Sequence, residues 1–433
     1  MSRSCQKLSM MKKLLMIFTA ALCCMAVQAK TPFAKSRNSA VKTGIEVLRE
    51  KNFEGLVGRK VGLVTNPSGV DSHLNSTVDI LFNAPGVELV ALYGPEHGVR
   101  GDVYAGDKIN DSVDAATGLP VYSIYGATRK PTPEMLEGVE VMVYDIQDVG
   151  ARSYTFISSL GLVMEACAEK GIEVMVLDRP NPLGGNKIEG CNVEPGFFSF
   201  VSQYPIPYIY GLTVGELALM INEEGMNRGQ KGDQEPAHCK LTVIPMEGWT
   251  RDMLYEDTGL PWVLPSPNIP FKDSPVYYVS SGICGELYGF MNIGVGYTLP
   301  FQVFGALWLE PEALKAKLES YDIPGVSFRT IWYKPFSGNL KGQLVKGLQF
   351  FYTDYENARL TELQFMVMQA VAELYPDKKP FEIISGYGLF DKVCGTDFIR
   401  TEFSKRYLFD DIKDYWRKDE DTFRALSQKY YMY

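Results

Sequence analysis

The chain has 433 residues, of which 46% are apolar and 22% charged, and a formal net charge of −9. A chain of this length can bury a large core and commonly forms two domains. Its acidic balance argues against nucleic acid as a partner, which would call for a basic face. It does not exclude a small anionic ligand, because local arginines decide that.

The first 29 residues read as a targeting segment rather than as fold. Lys12 and Lys13 precede an apolar run from Leu14 to Val27, the length of a signal-peptide core and short of a comfortable bilayer span. Val27-Gln28-Ala29 places small residues where a signal peptidase reads them, so cleavage is expected after Ala29, with the mature protein periplasmic or secreted. Cys23 and Cys24 invite a lipoprotein reading, but Leu22 is bulky for a lipobox. The segment carries four basic groups (Arg3, Lys7, Lys12, Lys13) and no acidic one, so its removal takes the net charge from −9 to −13. No later stretch is apolar for long enough to cross a membrane. Of the eight cysteines, Cys167, Cys191, Cys239, Cys284 and Cys394 remain, scattered and without Cys-x-x-Cys spacing. A thiolate metal site is not expected from them, and the fold should not depend on a disulfide.

From Gly44 to Asp178, apolar runs alternate with helical stretches. Lys60 to Thr65 predicts a strand ending at Asn66-Pro67-Ser68-Gly69, Val78 to Asn83 a helix, and Val87 to Leu92 a second strand. Val139 to Tyr144 predicts a third strand, Ser158 to Lys170 a helix capped by Gly171, and Ile172 to Leu177 a fourth strand. Continuous β-branched runs between helices indicate buried parallel strands, and hence an α/β fold: a Rossmann-like, doubly wound, mostly parallel sheet over 40–270. No Gly-x-Gly-x-x-Gly follows the first strand, so the nucleotide chemistry is missing. Thr213 to Glu223 reads as a helix with Thr213 and Glu216 as a capping box. Trp262 to Pro270 holds three prolines and is a loop. A smaller C-terminal α+β domain over 271–433 follows. Its expected elements are Gly289–Pro300, helix Pro311–Ser320, strand Ile331–Phe336, strand Leu348–Tyr352, helix Thr361–Leu374 and surface helices over Leu408–Tyr433.

Three polar clusters leave the ends of predicted strands, where open α/β sheets collect their chemistry. Gly94-Pro95-Glu96-His97-Gly98-Val99-Arg100-Gly101-Asp102 brings together two carboxylates, an imidazole and a guanidinium on a glycine turn. Glu96 can serve as a general acid or base, or be only a solvated turn carboxylate. His97 can carry a proton or donate to a substrate. A metal role is the weakest, since neither His73 nor His238 pairs with it in spacing. The second cluster is Asp145-Ile146-Gln147-Asp148-Val149-Gly150-Ala151-Arg152-Ser153-Tyr154, with polar groups for hydroxyls and an aromatic platform, as a carbohydrate pocket requires. Asp145 and Asp148 could instead cap helices. The third, Asp178-Arg179-Pro180-Asn181, could hold ligand or form a structural ion pair. Three such loops at one sheet edge point to a shared cleft.

At these positions the chain resembles the NamZ-type exo-β-N-acetylmuramidases, glycoside hydrolase family 171. The resemblance rests on the segments at 94–101, 144–155 and 178–185. It extends to Gly-Leu-Thr-Val-Gly-Glu-Leu-Ala at 211–218, Val-Ile-Pro-Met-x-Gly-Trp at 243–249 and Thr-Gly-Leu-Pro-Trp-Val-x-Pro-Ser-Pro-Asn at 258–268. It implies a Rossmann-like N-terminal domain, a smaller C-terminal one and a cleft between them. The implied reaction releases terminal N-acetylmuramic acid from muramic-acid-containing glycan fragments, with no cofactor. Glu96 matches the family's catalytic glutamate and His97 its neighbour. Asp145, Asp148 or Glu286 is then expected to position water or stabilise the cationic transition state. Arg100, Arg152 or Arg179 would clamp the lactyl carboxylate. Asp102, Gln147, Tyr154, Asp178, Asn181 and Asn268 complete the expected sugar contacts. The chain departs from many members at Glu286-Leu287-Tyr288-Gly289, where Glu286 is kept but the residues after it differ, at Gly294-Val295-Gly296-Tyr297-Thr298, where Val295 or its neighbour stands in place of an arginine, and at Tyr210, where a histidine is more usual. Two other classes stay open on the residues alone: a non-catalytic cell-wall sugar-binding protein, and a metal-dependent hydrolase using Glu96, His97 and Asp102. The separation of the paired carboxyls, about 5–5.5 Å for retention or 6.5–9.5 Å for inversion, is not a property of sequence. Neither is oligomeric state.

Overall fold

The computed structural model describes residues 41–101, 111–384 and 386–433. The segment expected to direct export and Asp102 lie outside these residues.

The N-terminal half is built on seven strands: β1 (Lys60–Thr65), β2 (Glu88–Gly94), β3 (Ser112–Val113), β4 (Pro120–Ser123), β5 (Val141–Asp145), β6 (Glu173–Leu177) and β7 (Leu241–Ile244), in the order β3-β4-β2-β1-β5-β6-β7. All neighbours run parallel except β3 and β4. Four helices cover this sheet: α1 (Gly44–Glu50), α2 (Thr77–Phe82), α3 (Phe156–Lys170) and α4 (Val214–Glu223).

Strand side chains alternate between two cores, which explains the near-continuous apolar runs. Val61, Leu63, Val141, Val143, Met175 and Leu177 face one side, packed with Ile45, Leu48, Val78 and Leu81 of α1 and α2. Val64, Met142, Tyr144, Val174 and Val176 face the other, against Ile157, Leu160 and Val163 of α3 and Leu217 and Ile221 of α4. Both faces are therefore covered, and the expected doubly wound sheet is present. The strand order reverses direction between β1 and β5, which makes that boundary the topological switch point. Both predicted caps form: Gly171 takes a left-handed φ of 68° after α3, and Thr213 and Glu216 form a capping box at α4.

The C-terminal half contains α5 (Ser274–Gly285), β8 (Val303–Ala306), α6 (Pro311–Glu319), β9 (Val326–Tyr333), β10 (Val345–Tyr352) and α7 (Leu363–Leu374). It ends in α8 (Gly388–Cys394), α9 (Phe398–Arg406), α10 (Asp410–Arg417) and α11 (Glu420–Ser427). Its sheet is antiparallel, in the order β8-β10-β9. Two sequence expectations shift here. Residues 289–300 form turns rather than a regular element, because Gly289, Gly294 and Gly296 all adopt positive φ. The strand expected to run to Phe336 ends at Tyr333, two residues before Pro335, which has no N–H to give to a ladder.

The described residues form one compact unit. One core cluster runs through both halves, joining Tyr208 to Trp416 and Tyr154 to the α5 region. Polar ties reinforce it. The Glu189 carboxylate accepts from the Leu360 and Thr361 amides, and Lys187 donates to the carbonyls of Tyr355 and Ala358. The most concentrated tie is Arg152, 0% exposed. Its guanidinium donates to the carbonyls of Cys191 (2.7 Å), Ile206 (2.5 Å), Val393 (2.9 Å) and Cys394 (2.9 Å). Removing it would strip four buried carbonyls of their guanidinium donor, with only the Cys191 thiol left on that of Cys394. Arg152→Met should lower unfolding stability by on the order of 3 kcal/mol or more, read from denaturant titration. A loss under about 1 kcal/mol would show that water replaces the guanidinium.

Candidate functional site

Glu96 and His97 are the central residues of a tight turn that leaves β2, closed by the Gly98 amide on the Pro95 carbonyl at 2.9 Å. His97 has φ 74°, a left-handed conformation that a bulky side chain adopts at a cost of about 1 kcal/mol or more. It is 5% exposed, while Glu96 is half-buried. Glu96 faces neighbours from two other elements. Thr155, the N-cap of α3, donates its hydroxyl at 3.4 Å, and Tyr125 donates its phenol. The pairing of β2 with β4 explains the second contact. Gly94 is in register with Ser123, so residues two positions further on, Glu96 and Tyr125, stand side by side.

The 145–155 loop supplies the next wall. Tyr154 packs edge-on against Phe156 (5.0 Å) and Tyr278 of α5 (5.7 Å), and the Ser266 hydroxyl sits beside its phenol oxygen. Ser153 hydrogen-bonds Tyr208 and Tyr278, each at 3.0 Å. Glu286 caps the C-terminal end of α5, and Tyr208 and Tyr278 feel its charge, as Tyr154 and Tyr125 feel that of Glu96. The two rings of the Tyr154–Tyr278 pair thus each feel one carboxyl, Tyr154 that of Glu96 and Tyr278 that of Glu286. Desolvation pushes the Glu286 carboxyl up to about 7. The loop from Trp262 to Pro270 is drawn over the strand ends. Asn66 donates to the Pro265 carbonyl (3.1 Å) and the Trp262 indole to the Ile269 carbonyl (3.1 Å), with Asn268 half-buried on it.

Several predicted contacts serve instead as the floor of this region. Asp145 is buried in a bidentate pair with Arg179 (2.5 and 3.0 Å) and accepts from Thr77, so both charges are internally matched. The pair predicted between Asp178 and Arg179 is thus an Asp145–Arg179 pair. Asp178, fully buried, takes donors from Arg179 N, Gly215 N, Thr213 and Tyr433, and desolvation raises it to about 6. Asn181 bridges the Leu183 amide and the Leu212 carbonyl. Arg152 is spent on carbonyls, and Arg100 grips both oxygens of Asp114 (2.9 and 3.0 Å). Each of the three arginines predicted to clamp a substrate carboxylate is thus engaged by protein acceptors: Arg152 and Arg179 are buried, and Arg100 is exposed and paired with Asp114. Gln147 donates to the Asp148 and Pro180 carbonyls and, with Arg179, Ser68, Asp71 and Tyr255, lines a small polar recess near the switch point. Tyr125, Thr155, Ser153, Ser266 and Tyr278 were not legible as site residues. They are ordinary loop and helix residues until the sheet register and α5 bring them in.

Among the described residues, no group of three or more His, Cys, Asp or Glu is arranged to hold a metal. The five described cysteines are buried free thiols.

Asp148 lies beneath Tyr154. One of its oxygens accepts from Tyr210 and from Gly150 N (2.7 Å), and the other has no hydrogen-bond partner. Burial raises its carboxyl to about 6, with the Tyr210 and Gly150 donors holding it back. A raised folded-state value favours the folded state below about pH 4, and this contribution is lost as pH rises through 6. Asp148→Asn keeps an acceptor for Tyr210 and Gly150 and cannot ionise. Relative to wild type it should gain on the order of 2 kcal/mol between pH 4 and pH 8 in denaturant titrations. An unchanged difference across that range would mean that Asp148 ionises without cost.

Comparisons with known proteins fit this architecture. The N-terminal family description of the exo-β-N-acetylmuramidase NamZ matches residues 61–273, and the C-terminal one matches 276–433. The chain is 42% identical over 398 residues to the peptidoglycan β-N-acetylmuramidase NamZ of Bacillus subtilis strain 168, covering 92% of both chains. A crystal structure of a DUF1343 family protein from Bacteroides fragilis superposes with a TM-score of 0.86 at 54% identity, covering 92% of this chain and all of that one. A second DUF1343 structure from the same organism gives 0.67 at 27% identity, covering 91% and 99%. With both halves matched in order across nearly the whole described length, the chain belongs to the NamZ exo-β-N-acetylmuramidase family.

Proposed function

We propose that this protein is an exo-acting glycosidase that releases terminal N-acetylmuramic acid from peptidoglycan fragments, with Glu96 as the residue that transfers the proton at the glycosidic oxygen. One observation carries the assignment of the site. Glu96 is held on a strained turn at the carboxyl end of β2, hydrogen-bonded by Thr155 and Tyr125, and its charge reaches Tyr154, which packs on Tyr278 beside Glu286. A carboxyl beside each ring of an aromatic pair suits a sugar whose ring packs on a face while its bond is cleaved. Glu286 is the second carboxyl of this reading. Asp145 is neutralised by Arg179, and Asp148 is covered by Tyr154 and Tyr210, whereas Glu286 is half-buried and keeps its proton into the neutral range. That environment suits proton exchange near neutral pH, and Glu286 supports an oxocarbenium-like transition state in its ionised form. Gly94, Gly98 and Gly101 let the turn close tightly; a Cβ on Gly94 would stand 3.2 Å from the Val99 amide nitrogen.

The reading also includes export. Residues 1–29 would act as a signal cleaved after Ala29, so N-terminal sequencing of protein recovered outside the cytoplasm should begin at Lys30.

Release of p-nitrophenol from its β-N-acetylmuramic acid glycoside tests the activity. Glu96→Gln should lower turnover by roughly 10²–10⁴-fold while the sugar still binds. Chelators should leave the rate unchanged. The wild-type pH–rate profile should contain an ionisation near pH 7 that is missing from Glu286→Gln. A wild type that binds the sugar but does not turn it over would make the chain a cell-wall sugar-binding protein, and full activity in Glu96→Gln would remove Glu96 from the chemistry.

A further inference from the structure

N-acetylmuramic acid differs from other N-acetylhexosamines in its lactyl ether, whose carboxylate is negative at neutral pH. An acidic protein that selects this sugar needs a local cation to receive that group. Arg152 and Arg179 are buried on protein acceptors, and Arg100 is paired with both oxygens of Asp114. Lys130 is engaged by Glu165 and Glu169.

Arg129 differs from all of them. It is exposed on the loop that leaves β4, four residues beyond Tyr125, and among the described residues it makes no ion pair. Its guanidinium carbon sits 4.1 Å from the centroid of the Phe200 ring and 5.8 Å from that of Tyr125, and those two rings pack at 6.0 Å. Tyr125 in turn donates to Glu96. The chain places the cation one aromatic ring away from the carboxyl assigned to proton transfer. A guanidinium stacked on a ring face keeps its in-plane N–H fork for a planar acceptor, and a carboxylate is the matching partner. The loop itself is pinned on both sides of the arginine. Thr128 Oγ1 donates to the Lys130 carbonyl at 2.6 Å, and Lys130 Nζ reaches Glu169 at 2.7 Å. The rings and the pinned loop fix the cation in place before ligand arrives, which reduces the ordering cost of binding.

We propose that Arg129, stacked on Phe200 and Tyr125 beside Glu96, is the specificity-determining residue that receives the lactyl carboxylate of N-acetylmuramic acid. The proposal rests on the functional reading above and adds to it the part of the sugar that is recognised and the residue that recognises it. Arg129 touches no scissile atom in this role, so its effect belongs in KM rather than kcat.

The test compares wild type, Arg129→Ala, Arg129→Gln and Arg129→Lys on p-nitrophenyl β-glycosides of N-acetylmuramic acid, of N-acetylmuramic acid with its lactyl group amidated, and of N-acetylglucosamine. Arg129→Ala and Arg129→Gln should raise KM for the free-acid muramic glycoside by roughly 10–100-fold with kcat held within a few-fold. The amide and N-acetylglucosamine glycosides should respond to these substitutions by less than about threefold. Arg129→Lys should recover part of the loss, because it restores the charge without the fork. Wild-type KM for the free acid should rise with salt, and that dependence should flatten in Arg129→Ala. Equal losses on all three glycosides, or an unchanged KM for the free acid, overturn the assignment. If wild type turns over none of them, the glycosidase reading fails on its own. Calorimetric binding of free N-acetylmuramic acid against N-acetylglucosamine to the same four proteins then decides the role of Arg129 by the same criterion.

Discussion

The buried guanidinium of Arg152 ties the loop behind Glu96 to the C-terminal half of the chain. Arg152 carries its charge into the interior with main-chain carbonyls as its hydrogen-bond acceptors, two from segments of the N-terminal half and two from the end of α8. Burying a guanidinium is costly unless its donors are satisfied, so the four carbonyls are constrained to converge, and with them the segments that carry them. The three residues after Arg152 are Ser153, Tyr154 and Thr155, which contact Tyr208 and Tyr278, the aromatic partition and Glu96 respectively. The position of the site therefore depends on a charge that never meets solvent.

Carboxyl groups are numerous here, and their surroundings separate their roles. Asp145 has a guanidinium partner and a threonine donor, Asp178 has four donors, and Asp148 has two donors on one oxygen and none on the other. Glu286 is shifted by desolvation alone. The first two fix the strand ends relative to one another, and Asp148 supports Tyr154 and Tyr210 from beneath. Glu96 and Glu286 are only half-buried, and their charges reach Tyr154 and Tyr278 respectively. Tyr210 gives Asp148 a neutral hydroxyl donor.

The three strand-end clusters were legible in the sequence because glycine, proline and charged residues interrupt apolar runs there. Their division into floor and wall was not. Asp145, Arg179, Asp178 and Asn181 have the same composition as a sugar pocket, yet they face inward to satisfy one another and the chain termini of neighbouring elements. Polar residues at a strand end can either close buried backbone groups or await ligand, and composition does not distinguish the two. The contributions of Tyr125 and Tyr278 were unreadable for another reason. One depends on the register of β2 against β4, and the other on α5 reaching the sheet from more than a hundred residues away.

The sequence by itself determined the alternation of strands and helices, the capped ends of α3 and α4, the turn at Glu96 and the family to which these motifs point. Those features are encoded locally, in runs, caps and turn residues that act over a few positions. Only the tertiary structure decided which charges neutralise each other, which arginine keeps an exposed face, and which second carboxyl shares the platform with Glu96. Those outcomes depend on distances between segments far apart in the chain, and on a desolvation that exists only once the two halves close around a common core.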